Sequence, residues 1–138
     1  ARHRCLIPAS GFYEWQPVAA DGKVRKQPWY IQPADAGGFF AFAGLLAAWK
    51  LPDGTTIVTT CIITTAANDL MAPIHDRMPA ILRPEQYDAW LDPENTDKES
   101  LQAMIGPCAS ELMSVRKVSP ALNRGATDGP VCIEPLTV

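Results

Sequence analysis

Two short strings in this sequence hold residue types that could do chemistry. The first is Gly11-Phe12-Tyr13-Glu14-Trp15. A lone carboxylate inside an aromatic strand is costly to bury ionised, so Glu14 either faces solvent or sits in a pocket with a partner. Strand alternation puts Phe12 and Glu14 on one face and Gly11, Tyr13 and Trp15 on the other. The second string is Ile74-His75-Asp76-Arg77-Met78-Pro79. His75 can titrate near neutral pH, Asp76 can orient it and Arg77 can hold a phosphate. Each string also has a purely structural reading: an exposed glutamate on a half-buried strand, and a His–Asp–Arg loop network.

The elements that must position these groups read as strands first and helices later. Residues 10–18 and 24–32 flank the turn pair Asp21-Gly22. Residues 39–49 read as a buried strand, and Pro52-Asp53-Gly54 turns the chain into the β-branched run 55–65. Four strands with short connections predict an antiparallel meander that curls or is covered on both faces. Thr65 is placed to cap a short helix over 66–71 that Pro73 stops, and 78–82 reads as a further short strand. Pro84 starts a helical segment with Tyr87, Trp90 and Leu91 on one face. Thr96-Asp97-Lys98-Glu99 has a capping-box pattern ahead of Leu101, Met104 and Ile105, with Gly106-Pro107 as the stop. Residues 115–118 and 131–134 read as closing strands. The fold class is α+β, an antiparallel, barrel-like β-sheet with a few short helices.

Composition bounds the function. The 138 residues suit one domain, and 47% hydrophobic residues suffice for a core. No apolar run approaches the roughly 20 residues of a membrane span, and the start lacks the pattern of a signal peptide, so a soluble, cytoplasmic protein without a membrane partner is expected. The cysteines Cys5, Cys61, Cys108 and Cys132 lie far apart beside only two histidines, which offers no zinc framework. All four are expected to be small buried hydrophobes. No metal or organic cofactor is called for. Net charge is −3, yet residues 1–30 balance at +3 and residues 31–138 at −6. One face can therefore be positive on an acidic protein.

Taken in order, Arg4-Cys5, Gly11-Phe12-Tyr13-Glu14-Trp15, Gln27-Pro28 before Trp29-Tyr30, Thr64-Thr65-Ala66-Ala67, Ile74-His75-Asp76-Arg77-Met78-Pro79, Val118-Ser119 and Ile133-Glu134-Pro135 resemble the SOS-response-associated peptidase (SRAP) domain. The resemblance covers essentially all 138 residues. It implies a protein that captures abasic sites in single-stranded DNA. An N-terminal cysteine, exposed by self-removal of the initiator methionine, traps the ring-opened aldehyde as a thiazolidine. It further implies Glu14 as the catalytic glutamate near that amine and His75 as the acid/base at the sugar oxygen. Arg77 and Arg4 are then candidate phosphate contacts, and Trp15 stacks or wedges at the lesion. A monomer, associated with the nucleoid when engaged, is expected.

The chain starts inside the family pattern, at Ala1-Arg2-His3-Arg4-Cys5, without the N-terminal cysteine or the segment that follows it. Cys5 has no free α-amine and cannot replace that nucleophile. The expectation is therefore one SRAP-like domain of which residues 1–138 form the C-terminal two-thirds, unable to crosslink DNA alone. The loop Asn123-Arg124-Gly125-Ala126-Thr127-Asp128 also departs from the family pattern. Two other readings stand beside this one. The first is a thiol peptidase acting on other proteins through a Cys5/His75 dyad, and the second a non-catalytic module binding single-stranded nucleic acid.

Overall fold

A computed structural model describes residues 3–35 and 37–136. Strands β1 (Arg4–Ala9), β2 (Phe12–Ala20), β3 (Lys23–Pro33), β4 (Phe40–Lys50) and β5 (Thr56–Ile62) fill the first half. The short strands β6 (Thr64–Ala66), β7 (Arg77–Pro79) and β8 (Ile81–Leu82) precede helices α1 (Tyr87–Leu91) and α2 (Lys98–Met104), and β9 (Met113–Lys117) follows them.

These strands do not form the expected meander. One sheet has the order β1-β4-β5, with β8 also on β4, and a second has the order β2-β3-β9. Pairing of β1 with β4 encloses the β2–β3 hairpin in sequence, and all neighbours are antiparallel. The fold is α+β, and its sheets are not closed into a barrel. Gly11 lies where β1 passes into β2 (Cβ there would be 2.4 Å from the Tyr30 ring and 2.6 Å from the Ile31 carbonyl), so only glycine fits without displacing the hairpin. At the other end of the hairpin, Asp21 (φ 52°) and Gly22 (φ 72°) make the two-residue turn that fixes the β2–β3 register.

The main core gathers Ile31, Phe40, Phe42, Met71, Ile74, Met78, Ile81 and Met113, with Phe12 and Trp29 packed against it. Phe12 forms a triangle of rings with Phe40 and Phe42, its centroid 6.0 Å from the first and 5.8 Å from the second. A second cluster of Ala43, Ala80, Leu82 and Trp90 sits under α1, where the Trp90 indole donates to the Cys5 carbonyl at 3.0 Å.

Several expectations are corrected here. Residues 66–71 form no helix: Thr65 pairs with Met78 in a strand, and irregular turns follow. Residues 131–134 are not a strand, because Pro130–Cys132 forms a 3-10 turn after Gly129 at φ 98°. The α2 cap is Asp97, whose carboxylate accepts from the Glu99 amide at 3.1 Å. The strand at 39–49 is buried only over its first half. Beyond Leu45 it pairs with β5 as a ribbon whose residues are exposed, with Trp49 at 68% and Val58 at 63%. Cys61 lies on that ribbon and is exposed, so it is not the buried hydrophobe expected. Cys5 and Cys108 are half-buried, Cys132 is buried, and all four are unpaired thiols.

Candidate functional site

Along β2 one face emerges gradually from the core. Phe12 is packed on the main cluster, and Glu14 comes next, half-buried, in register with Trp29 of β3. Two residues further on, Gln16 donates from Nε2 to the Pro73 carbonyl at 2.7 Å and accepts from the Trp29 indole at 3.1 Å. Glu14 is thus bracketed: the residue before it on this face packs on the cluster that holds Ile74, and the residue after it is bonded to Pro73. The face that bears Glu14 lies against the turn that leads into His75. Among the described residues the Glu14 carboxylate takes no hydrogen bond.

The turn itself is organised by Asn68. Its Oδ1 accepts from the Met71 amide at 3.0 Å, and its Nδ2 donates to the Cys108 carbonyl at 3.0 Å. The His75 amide then donates to the Met71 carbonyl at 2.9 Å, which sets the backbone of the histidine. On its side chain, Nδ1 lies 3.0 Å from the Arg77 amide and 3.1 Å from the Arg77 carbonyl, so it accepts from the first or donates to the second according to the ring tautomer. Asp76 Oδ1 is 3.2 Å from the same Nδ1, and a proton there would pair with that carboxylate. Arg77 itself is exposed, with Nη2 donating to both the carbonyl (2.8 Å) and the hydroxyl (2.6 Å) of Thr64 across the β6–β7 hairpin.

The other two sequence candidates are placed elsewhere. Trp15 is on the opposite face of β2, beside Tyr13, and its indole donates to Asn123 Oδ1 at 2.8 Å. It borders a shallow depression of about 480 Å³ with Lys26, Leu122, Asn123 and Gly125. Because β2 is an edge strand, a ligand lying across that edge meets both faces. Arg4 is engaged structurally. Its guanidinium donates to the carbonyls of Trp90, Asp92 and Asn95 and stands over the Trp90 ring, locking the end of α1 to β1.

Sequence reasoning missed Gln16, Asn68 and Thr64, which hold the candidates in place. Alternation already puts Gln16 on the Glu14 face, so that signal was readable. The other two act through contacts across the fold that no local pattern encodes. A cavity of about 610 Å³, lined by Phe39, Ile81, Arg83 and Tyr87 among others, includes neither Glu14 nor His75. No helix among the described residues is long and apolar enough to cross a membrane.

Comparison with known proteins places these residues in a wider set. The family model described as SOS response associated peptidase (SRAP) matches residues 1–125. The chain is 41% identical over 131 residues to the abasic site processing protein YoqW of Bacillus subtilis, covering 95% of this chain and 57% of that protein. It is 33% identical over 148 residues to the abasic site processing protein HMCES of Xenopus tropicalis, covering 94% and 42%. A crystal structure of a protein from Bacteroides thetaiotaomicron superposes with a TM-score of 0.86 at 28% identity, covering 98% of this chain and 57% of that one. The chain thus spans about half the length of the relatives it matches.

Proposed function

The chain belongs to the SOS response associated peptidase family, and from that premise we propose that it serves a protein that processes abasic sites in DNA, with Glu14 and His75 as an acid–base pair at the lesion. The observation that carries this reading is the Gln16–Pro73 hydrogen bond, which holds the Glu14 face of β2 against the turn leading into His75. Relatives named abasic site processing proteins support the substrate.

The chemistry follows from what an abasic site offers. In its ring-opened form the sugar is an aldehyde. An N-terminal cysteine amine attacks the carbonyl carbon and water leaves to give an imine. The cysteine sulfur then adds to the imine carbon, closing a thiazolidine. Amine, thiol and aldehyde become one ring and one water. That cysteine is not among these 138 residues, so the chain contributes the groups that move protons. An ammonium must lose a proton before it attacks, and the Glu14 carboxylate, unpaired within the described residues, is suited to receive it. The sugar oxygen must gain a proton as the ring opens, and His75 in its imidazolium form can give one. Arg77, positioned by Thr64, adds a phosphate contact, and single-stranded DNA suits a lesion that must leave the stack. The same amine-releasing step, removal of an initiator methionine, belongs to this reading.

The test is a denaturing gel of the protein, with its N-terminal cysteine in place, mixed with a single-stranded oligonucleotide that contains one abasic site. A covalent complex with native protein, absent with undamaged oligonucleotide, is expected. Reversible binding without any covalent species would replace this reading with that of a binding module.

A further inference from the structure

The face that carries Glu14 continues beyond the core as a row of cations. Register pairs Gln16 with Gln27, Val18 with Arg25 and Ala20 with Lys23, so Arg25 and Lys23 share the Glu14 face of the hairpin. The next strand adds Lys117, which is paired with Trp29 and holds its ammonium 5.4 Å from the centre of that ring. Lys23, Arg25 and Lys117 are all exposed. Arg25 also borders a depression of about 460 Å³ with Val18, Lys26, Gln27, Pro120 and Asn123, at the edge between the two faces. On a protein of net charge −3, this is a positive strip that starts beside the candidate site and runs outward.

From this geometry we infer that the β2–β3 hairpin is a rail for the single-stranded DNA flanking the lesion, with its phosphates on Lys117, Arg25 and Lys23. The inference rests on the proposed function and adds the path of the strand. Residues two apart on a strand advance about 6.7 Å, a separation that successive phosphates of an extended single strand can match, as at Lys23 and Arg25. Lys117, in register with Trp29, stands four residues or about 13 Å from Arg25 along the strand, which leaves room for one phosphate between them. Trp29 fixes Lys117 through its ring face, so that cation is held in place rather than swinging on its stem. Arg25 meets Asp21 at 3.3 Å, but both side chains are largely exposed, and a pair of that kind is weak enough for phosphate to replace. The tight Asp21-Gly22 turn matters because it sets the register. A slip of one residue would send Lys23 and Arg25 to the Trp15 face.

The experiment measures binding of the protein to single-stranded oligonucleotides with one abasic site and either short or long flanks, across a salt series. Variants are Lys23→Ala/Arg25→Ala, Lys117→Ala, and Arg83→Ala, an exposed arginine paired with Glu85 near α1, as a charge control. On long flanks the salt slope should fall by about 0.7 for each rail cation removed, and Arg83→Ala should not change it. On short flanks the variants should match the native protein. Native binding with unchanged slopes in the rail variants, or an equal loss with Arg83→Ala, overturns the rail and leaves the function reading intact. No binding by the native protein overturns both.

Discussion

Gln16 holds Pro73 through its amide nitrogen and Trp29 through its amide oxygen, at 2.7 and 3.1 Å, and so ties β2 to the turn before His75 across 57 positions of sequence. The two strings that looked reactive in the sequence meet through this side chain. Neither supplies it from its own motif residues.

Replacing Gln16 with Leu keeps the volume and strands both partners. Water can replace the lost donor at the exposed Pro73 carbonyl, while the part-buried Trp29 indole loses its acceptor, so the variant should melt lower, by the equivalent of about 1 kcal/mol. A merely structural residue would stop there. As a positioning residue, Gln16 should also slow covalent capture while leaving reversible DNA affinity near native. Gln16→Glu, which keeps the acceptor for Trp29, should recover only part of the loss. Thermal melts paired with single-turnover capture rates check this. Equal capture rates for native and Leu protein would reduce Gln16 to a packing contact.

Gly11→Ala introduces a methyl group where the Tyr30 ring and the Ile31 carbonyl already stand. The expected loss is about 1–3 kcal/mol, typical of overpacking in a filled site. Denaturant titration measures it, and an unchanged midpoint would show that the hairpin can move aside.

Cys5 is held back as a nucleophile. Burial pushes its thiol up from the ordinary value, and the neighbouring Cys61 pushes it the same way. The thiolate is the reactive form, so a raised thiol is a slow one at neutral pH. Cys108 is pushed up to about 11 by burial. A thiol-reactive probe should therefore label exposed Cys61 first and Cys5 and Cys108 slowly. Cys5→Ala should retain DNA capture. Rapid labelling of Cys5 together with loss of activity in Cys5→Ala would restore the Cys5/His75 peptidase.

What the sequence made legible was local. Period-two alternation placed Glu14 and Trp15 on opposite faces, and the Asp21-Gly22 pair located the hairpin turn. What it hid was long-range. The pairing of β1 with β4 skips a whole hairpin, and no pattern within either strand announces it. Thr65 looked like a helix cap, yet cross-strand pairing with Met78 overrides that local preference. The second half of β4 reads as buried because apolar content does not say what lies above it. Arg4 looked available for phosphate, because nothing nearby in sequence reveals that three carbonyls some 90 positions away receive it.

If Glu14 and His75 act together on an abasic site, single-turnover rates of covalent capture should show it when native protein, Glu14→Gln, His75→Ala and the double variant are compared. Acid–base groups that serve one reaction each contribute about 10²–10⁴-fold, and groups acting as a unit are far from additive. Losses in that range are expected for each single variant, with a double variant little worse than the poorer single one and DNA affinity nearly unchanged. Capture at native rates by either single variant, with the fold intact, would remove that residue from the reaction.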